Sequence, residues 1–310
     1  MAKTPDYKAS DFDPEVLRLF DEYVHGGIDR RGFLIGAARF AVGASGAVGL
    51  LAALSPQFAA AQEVASNDAR IEAKHIEFAS PQGYGTGRGY LAMPAKIQRP
   101  LPVVLVAHEN RGLNPHIEDI ARRLALANFI ALAPDALFPL GGYPGDEDAA
   151  RALFGKLDQS KTREDFIAAA GMLRTIKHGN GRLGVVGFCY GGGIANFLAT
   201  RLPGLHAAVS FYGSAAPLED VSKIKAELLV VLADNDERVN AGWPAYDSAL
   251  KAAGVTYAML RPPGSQHGFN NNTTPRYNAD AAREAWRLTL ALFERRLRGH
   301  PQRRRRTPSP

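Results

Sequence analysis

From residue 72 onward the chain alternates short apolar runs with segments whose apolar positions recur at helical spacing. "KHIEFAS" and "GRGYLAMPA" flank the turn-rich "PQGYGTG" and predict a hairpin. "LPVVLVAHE" is an almost continuous apolar run, the pattern of a strand buried on both faces. Ile117, Ile120, Leu124 and Ala127 share one helical face, and "FIALAPD" predicts the next strand. A helix over 166–176 precedes a strand over 183–188 and a helix over 194–202. "HAAVSFYG", "ELLVVLAD" and "TYAMLRPPG" predict three more strands, and 279–298 a closing helix. Strands alternating with helices imply an α/β fold, its mostly parallel sheet covered by helices on both faces. No internal repeat or linker interrupts residues 72–298, so one domain is expected there.

The chemistry concentrates at "RLGVVGFCYGGG", residues 182–193, which holds the only cysteine of the chain. Gly187 and Gly191 stand two residues either side of Cys189, between an apolar run and a helical pattern. A nucleophile elbow has this form: strand, strained turn, helix, with glycines where side chains would collide. A buried structural cysteine is the plain alternative, but a glycine-flanked turn is a poor place for one. A thiol nucleophile needs a base, and the base an orienting carboxylate. In α/β-hydrolases they follow in the order nucleophile, acid, histidine, on loops after strands. "LADNDERVN" offers Asp234 and Asp236, and "PPGSQHGFN" offers His267. Of eight histidines, only His267 sits in a Gly-rich loop after the last strand.

Composition narrows the context. The chain has 310 residues, 46% of them hydrophobic, enough for a sizeable core. One cysteine excludes an intramolecular disulfide. The net charge is +6, but 303–306 is a run of four arginines, so the folded part is close to neutral and no nucleic-acid face is expected. The tail 299–310 reads as disordered. Residues 1–61 carry a different signal. Arg30 and Arg31 precede Phe33 and Leu34, an apolar Gly- and Ala-rich stretch runs to Leu54, and Ala59 to Ala61 supply small residues. This pattern is similar to a twin-arginine export signal with cleavage possible after Ala61. It predicts the twin-arginine machinery as a partner and a periplasmic protein, with a cytoplasmic or membrane-anchored one as the alternative. Uncleaved, the stretch would make a marginal anchor, because Arg39 and glycines interrupt it.

Residues 72–298 resemble the dienelactone hydrolase family, which has the α/β-hydrolase fold. The resemblance rests on Gly187-Phe188-Cys189-Tyr190-Gly191, on Asp236-Glu237-Arg238-Val239 and on His267-Gly268-Phe269. It selects Asp236 over Asp234. It also implies a role for Glu109 in "VVLVAHENRGLN": the carboxylate keeps the resting thiol neutral and takes its proton when substrate displaces it. A carboxylate paired with Arg111 or Arg88 is the alternative reading of Glu109. The backbone N–H groups of Asn110 and Tyr190 would form the oxyanion hole. The implied activity is ring opening of an enol lactone or cleavage of an ester, of the carboxymethylenebutenolidase type, by a Cys189-His267-Asp236 triad through an acyl-enzyme. No metal or organic cofactor is required for such chemistry. Several members have an arginine four residues after the histidine, where this chain has Asn271. Arg276, Arg111 or Arg88 are candidates to replace it, and Tyr143 and Trp243 are candidates to line the pocket. A broader carboxylesterase or thioesterase on the same site, and a thiol redox sensor without turnover, are the competing expectations. The partner is a small molecule, and the chain a monomer or small homo-oligomer.

Overall fold

The computed structural model describes residues 7–41 and 46–298; the arginine tail and residues 42–45 of the apolar stretch lie outside the described residues. Eight strands form one sheet in the order β1-β2-β4-β3-β5-β6-β7-β8. These are β1 (Ile71–Ser80), β2 (Gly85–Pro94), β3 (Leu101–Ala107), β4 (Ile130–Pro134), β5 (Gly179–Phe188), β6 (Leu205–Phe211), β7 (Glu227–Val231) and β8 (Tyr257–Leu260). The hairpin strand β1 pairs antiparallel with β2, and β2 with β4; every other pairing is parallel. The mostly parallel sheet expected from the apolar runs is therefore present.

Alternation along β3 divides the interior in two. Leu101, Val103, Leu105 and Ala107 join one cluster, while Val104 and Val106 join the other. The first is closed by helices α7 (Gln159–Arg174), α8 (Tyr190–Arg201) and α10 (Trp243–Ala252), through Phe166, Leu198 and Tyr246. The second is closed by α5 (Pro115–Leu126) and α11 (Ala279–Leu297), through Ile117, Ile120, Leu124 and Phe293. Burial on both faces is why these strands read as unbroken apolar runs.

Element boundaries differ from the sequence reading where capping decides them. Helix α7 starts at Gln159, seven residues early, because Asp158 accepts hydrogen bonds from Ser160 N and Lys161 N. Helix α8 starts directly after Cys189, so the glycines read as loop form its first turn. The short helix α6 (Glu147–Phe154), capped by Asp146, α9 (Glu237–Asn240) and α10 were not anticipated.

The N-terminal segment is itself folded. Helices α1 (Pro14–His25), α2 (Arg30–Ala37) and α3 (Gly46–Leu54) enclose a small core of their own that includes Phe20, Tyr23, Phe33 and Leu54, and the one-turn helix α4 (Phe58–Ala61) follows outside it. Asp13 caps α1 by accepting from Glu15 N, Pro14 occupies its first turn, and Gly26 at φ 81° ends it. Gly26 has to be the stop, since a side chain there would be forced into the left-handed region. The apolar stretch thus divides among short helices. None of the described helices is long and apolar enough to cross a membrane.

Candidate active site

The chain runs from β3 to β4 on one side and then crosses to β5 on the other, so strand order reverses between β3 and β5. A crevice opens at the carboxyl ends of strands at such a point. Cys189 follows β5 and Glu109 follows β3, which brings both to that crevice.

The turn after β5 is strained. Cys189 has φ 55° and ψ −114°, outside the regions open to most L-residues. A Cβ at Gly187 would collide with the backbone of Gly191, and one at Gly191 with the backbone of Ala107. The glycines therefore permit the elbow to close against β3. Tyr190 is the first residue of α8, so its N–H has no intrahelical acceptor, and the N–H of Asn110 bonds to nothing among the described residues.

The acid and the histidine also meet. His267 Nδ1 lies 2.5 Å from Asp236 Oδ2, and both side chains are buried. Asp234 is turned away, accepting from Arg261 Nε and Gly264 N at 2.9 Å each, which holds its loop. Of the two carboxylates left open by the chain order, Asp236 is the one beside the ring. Tyr212, at φ 38°, packs against the His267 ring with centroids 4.9 Å apart. No motif pointed to Tyr212; it follows β6 and is fully buried.

The electrostatics follow from these contacts. Burial disfavours the Cys189 thiolate, but the charges of His267 and His25 outweigh it and hold the thiol well below its ordinary value. Burial likewise opposes the imidazolium of His267, yet the thiolate and Asp236 raise it to about 10. Glu109 is pushed up to about 7, first by burial and then by the Cys189 charge. It accepts from Asn271 Nδ2 at 3.1 Å, while Arg88 pairs with Asp135 at 2.9 Å and Arg111 lies 3.5 Å from Glu147. The arginine pairing considered for Glu109 is therefore absent.

The residue that sequence reading missed is His25, at the end of α1. Its Nε2 lies 3.5 Å from Cys189 Sγ and 3.2 Å from His267 Nε2. Burial lowers its affinity for a proton, but Asp21 and Cys189 raise it more. The three ligand-type atoms lie within 4.8 Å of one another, close enough to share a metal ion, although Arg238 brings a guanidinium to within 3.0 Å of His25 Nε2. Helix α1 is fixed there by Val24 O, which accepts from Asn110 Nδ2 at 3.0 Å and Arg111 Nη2 at 3.1 Å.

Beneath α1 lies a cavity of about 290 Å³, lined by Glu109, Arg111, Tyr143, Glu147, Asn271 and Arg276 from the sheet domain and by Phe20, Tyr23 and Arg30 from the N-terminal segment. Arg111, Arg276 and Tyr143 line this cavity together with Glu109, whereas Cys189 and His267 do not line it. Arg88 is spent on Asp135 and does not line it. Trp243 is a correction: as the first residue of α10 it packs on Tyr246 and Tyr257, 6.3 and 6.1 Å between ring centroids, away from the cavity.

Against known proteins, residues 88–297 match the model of the "Dienelactone hydrolase family". The chain belongs to the dienelactone hydrolase family. It is a hydrolase of the α/β-hydrolase fold. A "Putative carboxymethylenebutenolidase" of Synechocystis is 30% identical, over 68% of this chain and 92% of the relative. A "Putative hydrolase fragment YghX" of Escherichia coli is 51% identical over 36% of this chain and 96% of the fragment. The crystal structure of a putative dienelactone hydrolase from Klebsiella pneumoniae superimposes with a TM-score of 0.64 at 27% identity, covering 72% of this chain and 99% of that one. Separately, residues 4–41 of the hydrolase match a "YqhI-like" model, which contains α1 and α2.

Proposed function

We propose that this hydrolase opens enol lactones or cleaves esters of small carboxylate-bearing molecules, using Cys189 as nucleophile, His267 as base and Asp236 as the group that orients it. The observation that carries the reading is the 2.5 Å contact between Asp236 and His267 Nδ1, which fixes a proton on Nδ1 of a ring that lies within 4.8 Å of the sulfur at its strained elbow. The thiolate attacks the carbonyl, and the N–H groups of Asn110 and Tyr190 stabilise the oxyanion. The enolate or alkoxide leaves, and the activated water then releases the acid from Cys189. Glu109, raised by burial and by the Cys189 charge, fits a thiolate formed before substrate enters better than the transfer of the thiol proton to Glu109 that the family resemblance implies.

The carboxylate preference rests on the cavity. Arg111 and Arg276 are both buried and line it; Arg111 donates to Asn110 and Val24 and its Nε faces Glu147 at 3.5 Å, while the Nε of Arg276 lacks a hydrogen-bond partner. Two buried guanidiniums, one of them with an unused donor, suit a carboxylate. Asn271 favours the second reading, a carboxylesterase or thioesterase on the same site, because the position four residues past His267 is neutral. We also propose export by the twin-arginine route, since Arg30 and Arg31 lie exposed on the first turn of α2, within reach of a receptor.

A hydrolysis screen of a dienelactone, aryl esters and acyl thioesters, with Cys189→Ala alongside, tests the assignment. The parent should turn over the lactone or ester, and mass spectrometry should find the acyl group on the peptide containing Cys189. Turnover by the alanine variant, or no turnover of any class by the parent, would overturn it.

A further inference from the structure

The imidazole beside the sulfur comes from outside the hydrolase match. His25 lies within the 4–41 segment, and residues 88–297 carry the rest of the site. Asp21 O lies 2.8 Å from His25 Nδ1 and can only accept, so Nδ1 carries a proton. Asp236 fixes the proton of His267 on Nδ1 in the same way. Two Nε2 atoms then face each other at 3.2 Å, and a hydrogen bond between them needs one proton in total. Cys189 Sγ, 3.5 Å from His25 Nε2, is the nearby group able to supply it. Arg238 Nη2 can only donate, so at 3.0 Å it favours the lone pair on His25 and leaves the shared proton with His267. The other charge facing His25 is Asp21, 3.3 Å from Nδ1 and itself held by Arg276 at 3.4 Å.

We propose that His25 is a catalytic residue: with His267 it stores the proton that Cys189 gives up and returns it to the leaving group. In the resting site the S–H bond is broken and the proton lies between the two Nε2 atoms. Attack forms the C–S bond; as the C–O bond breaks, the leaving oxygen takes the stored proton, and both rings become neutral. Water then attacks the acyl-enzyme, gives its proton to the ring pair, and the C–S bond breaks to restore the thiolate. A second imidazole matters most where the leaving oxygen is basic. A phenolate or enolate departs unprotonated, whereas an alkoxide does not. The N-terminal segment thereby extends the site toward alkyl esters.

The inference rests on Cys189 as nucleophile, and its test separates the two. Rates are measured for parent, His25→Ala, His25→Gln and Cys189→Ala on aryl and alkyl esters of one acid, with and without added imidazole. Removal of His25 should slow alkyl esters by roughly two to four orders of magnitude, the usual share of a general acid. Aryl esters should lose less than about tenfold by the same argument. Imidazole should restore alkyl ester cleavage to His25→Ala and do nothing for Cys189→Ala. If the alanine variant loses its thermal transition, His25→Gln is judged by the same leaving-group ratio. Equal loss on both ester classes, unchanged rates, or faster turnover from an unplugged site would each overturn the role of His25. Activity in Cys189→Ala would instead overturn the nucleophile.

Discussion

Glu109 accepts a hydrogen bond from Asn271 Nδ2 at 3.1 Å and pairs with neither Arg88 nor Arg111, so among the described residues its carboxyl has no ion-pair partner. Substituting Glu109→Gln keeps an acceptor for Asn271 and removes the proton acceptor. With the thiolate formed before substrate binds, acylation of an activated ester should change by less than about tenfold in single-turnover measurements. A fall of roughly two to four orders of magnitude would instead make Glu109 the base that takes the thiol proton and overturn the resting thiolate. Stability should depend on pH. The carboxyl titrates near 7 in the fold against an ordinary 4.5, so its contribution is full below 4.5 and is lost as pH rises through about 7. The glutamine variant escapes that loss. Relative to the parent it should gain on the order of 1–2 kcal/mol between acid and alkaline pH, discounted for residual solvent contact. A normal acylation rate with a lowered midpoint would make Glu109 structural.

The thiol makes a second, independent prediction. Cys189→Ser leaves the elbow intact but replaces a group held as thiolate by one that stays protonated. Weak residual ester cleavage is expected, and Cys189→Ala should have none. In the parent, alkylation of Cys189 should show a flatter pH profile than that of a free thiol, because the neighbouring histidines hold it well below its ordinary value. Asp236→Asn removes one of the groups that raise His267, so the same reaction should then climb with pH. An identical flat profile in both would mean that Asp236 does not support the ion pair.

Much of this site was legible because strands buried on both faces announce themselves as apolar runs, and loops after them are where chain order places chemistry. Cys189, Asp236 and His267 all follow strands that read plainly. The strain at Cys189 was legible too, through Gly187 and Gly191. Trp243 was placed as a candidate pocket residue, but it opens helix α10 with Pro244 and packs on Tyr246 and Tyr257 instead. The larger omission was α1. Its signature is complete in "FDPEVLRLFDEYVHGG": Asp13 and Pro14 at the start, apolar residues at 16, 17, 19, 20 and 23, and Gly26 at the end. Reading the segment through Arg30 and Arg31 alone made what precedes them look like a leader. No periodicity could reveal that the helix ends against Cys189, a residue 164 positions away.

Arg276 tests the substrate class. Its guanidinium lines the cavity, lies 3.4 Å from Asp21 and stacks over Phe20 at 5.1 Å. If it grips a substrate carboxylate, Arg276→Met should raise KM for carboxylate-bearing esters by roughly ten- to a hundredfold, the range of one charge-assisted contact. Neutral aryl esters should keep their KM. An equal rise for both would assign Arg276 to holding α1 in position, and the carboxylate preference would fall.

Export is tested at the arginine pair. Arg30 Nη1 bonds Asp148 at 3.1 Å, and Arg31 is exposed on the same turn, which Asp29 caps by accepting from Gly32 N. Lysine at both positions keeps the charge and the helix, so folding and ester cleavage should be unchanged. A twin-arginine receptor reads the guanidinium pair, so Arg30→Lys with Arg31→Lys should leave the protein in the cytoplasm while the parent reaches the periplasm. Equal periplasmic recovery of the two, or a parent confined to the cytoplasm, would remove the export reading and leave helices α1 to α4 as part of the enzyme. N-terminal sequencing of the exported parent adds the decisive detail. A chain beginning at Gln62 has lost α1 and His25, so it should cleave alkyl esters as poorly as His25→Ala does. A chain that keeps α1 should retain that activity.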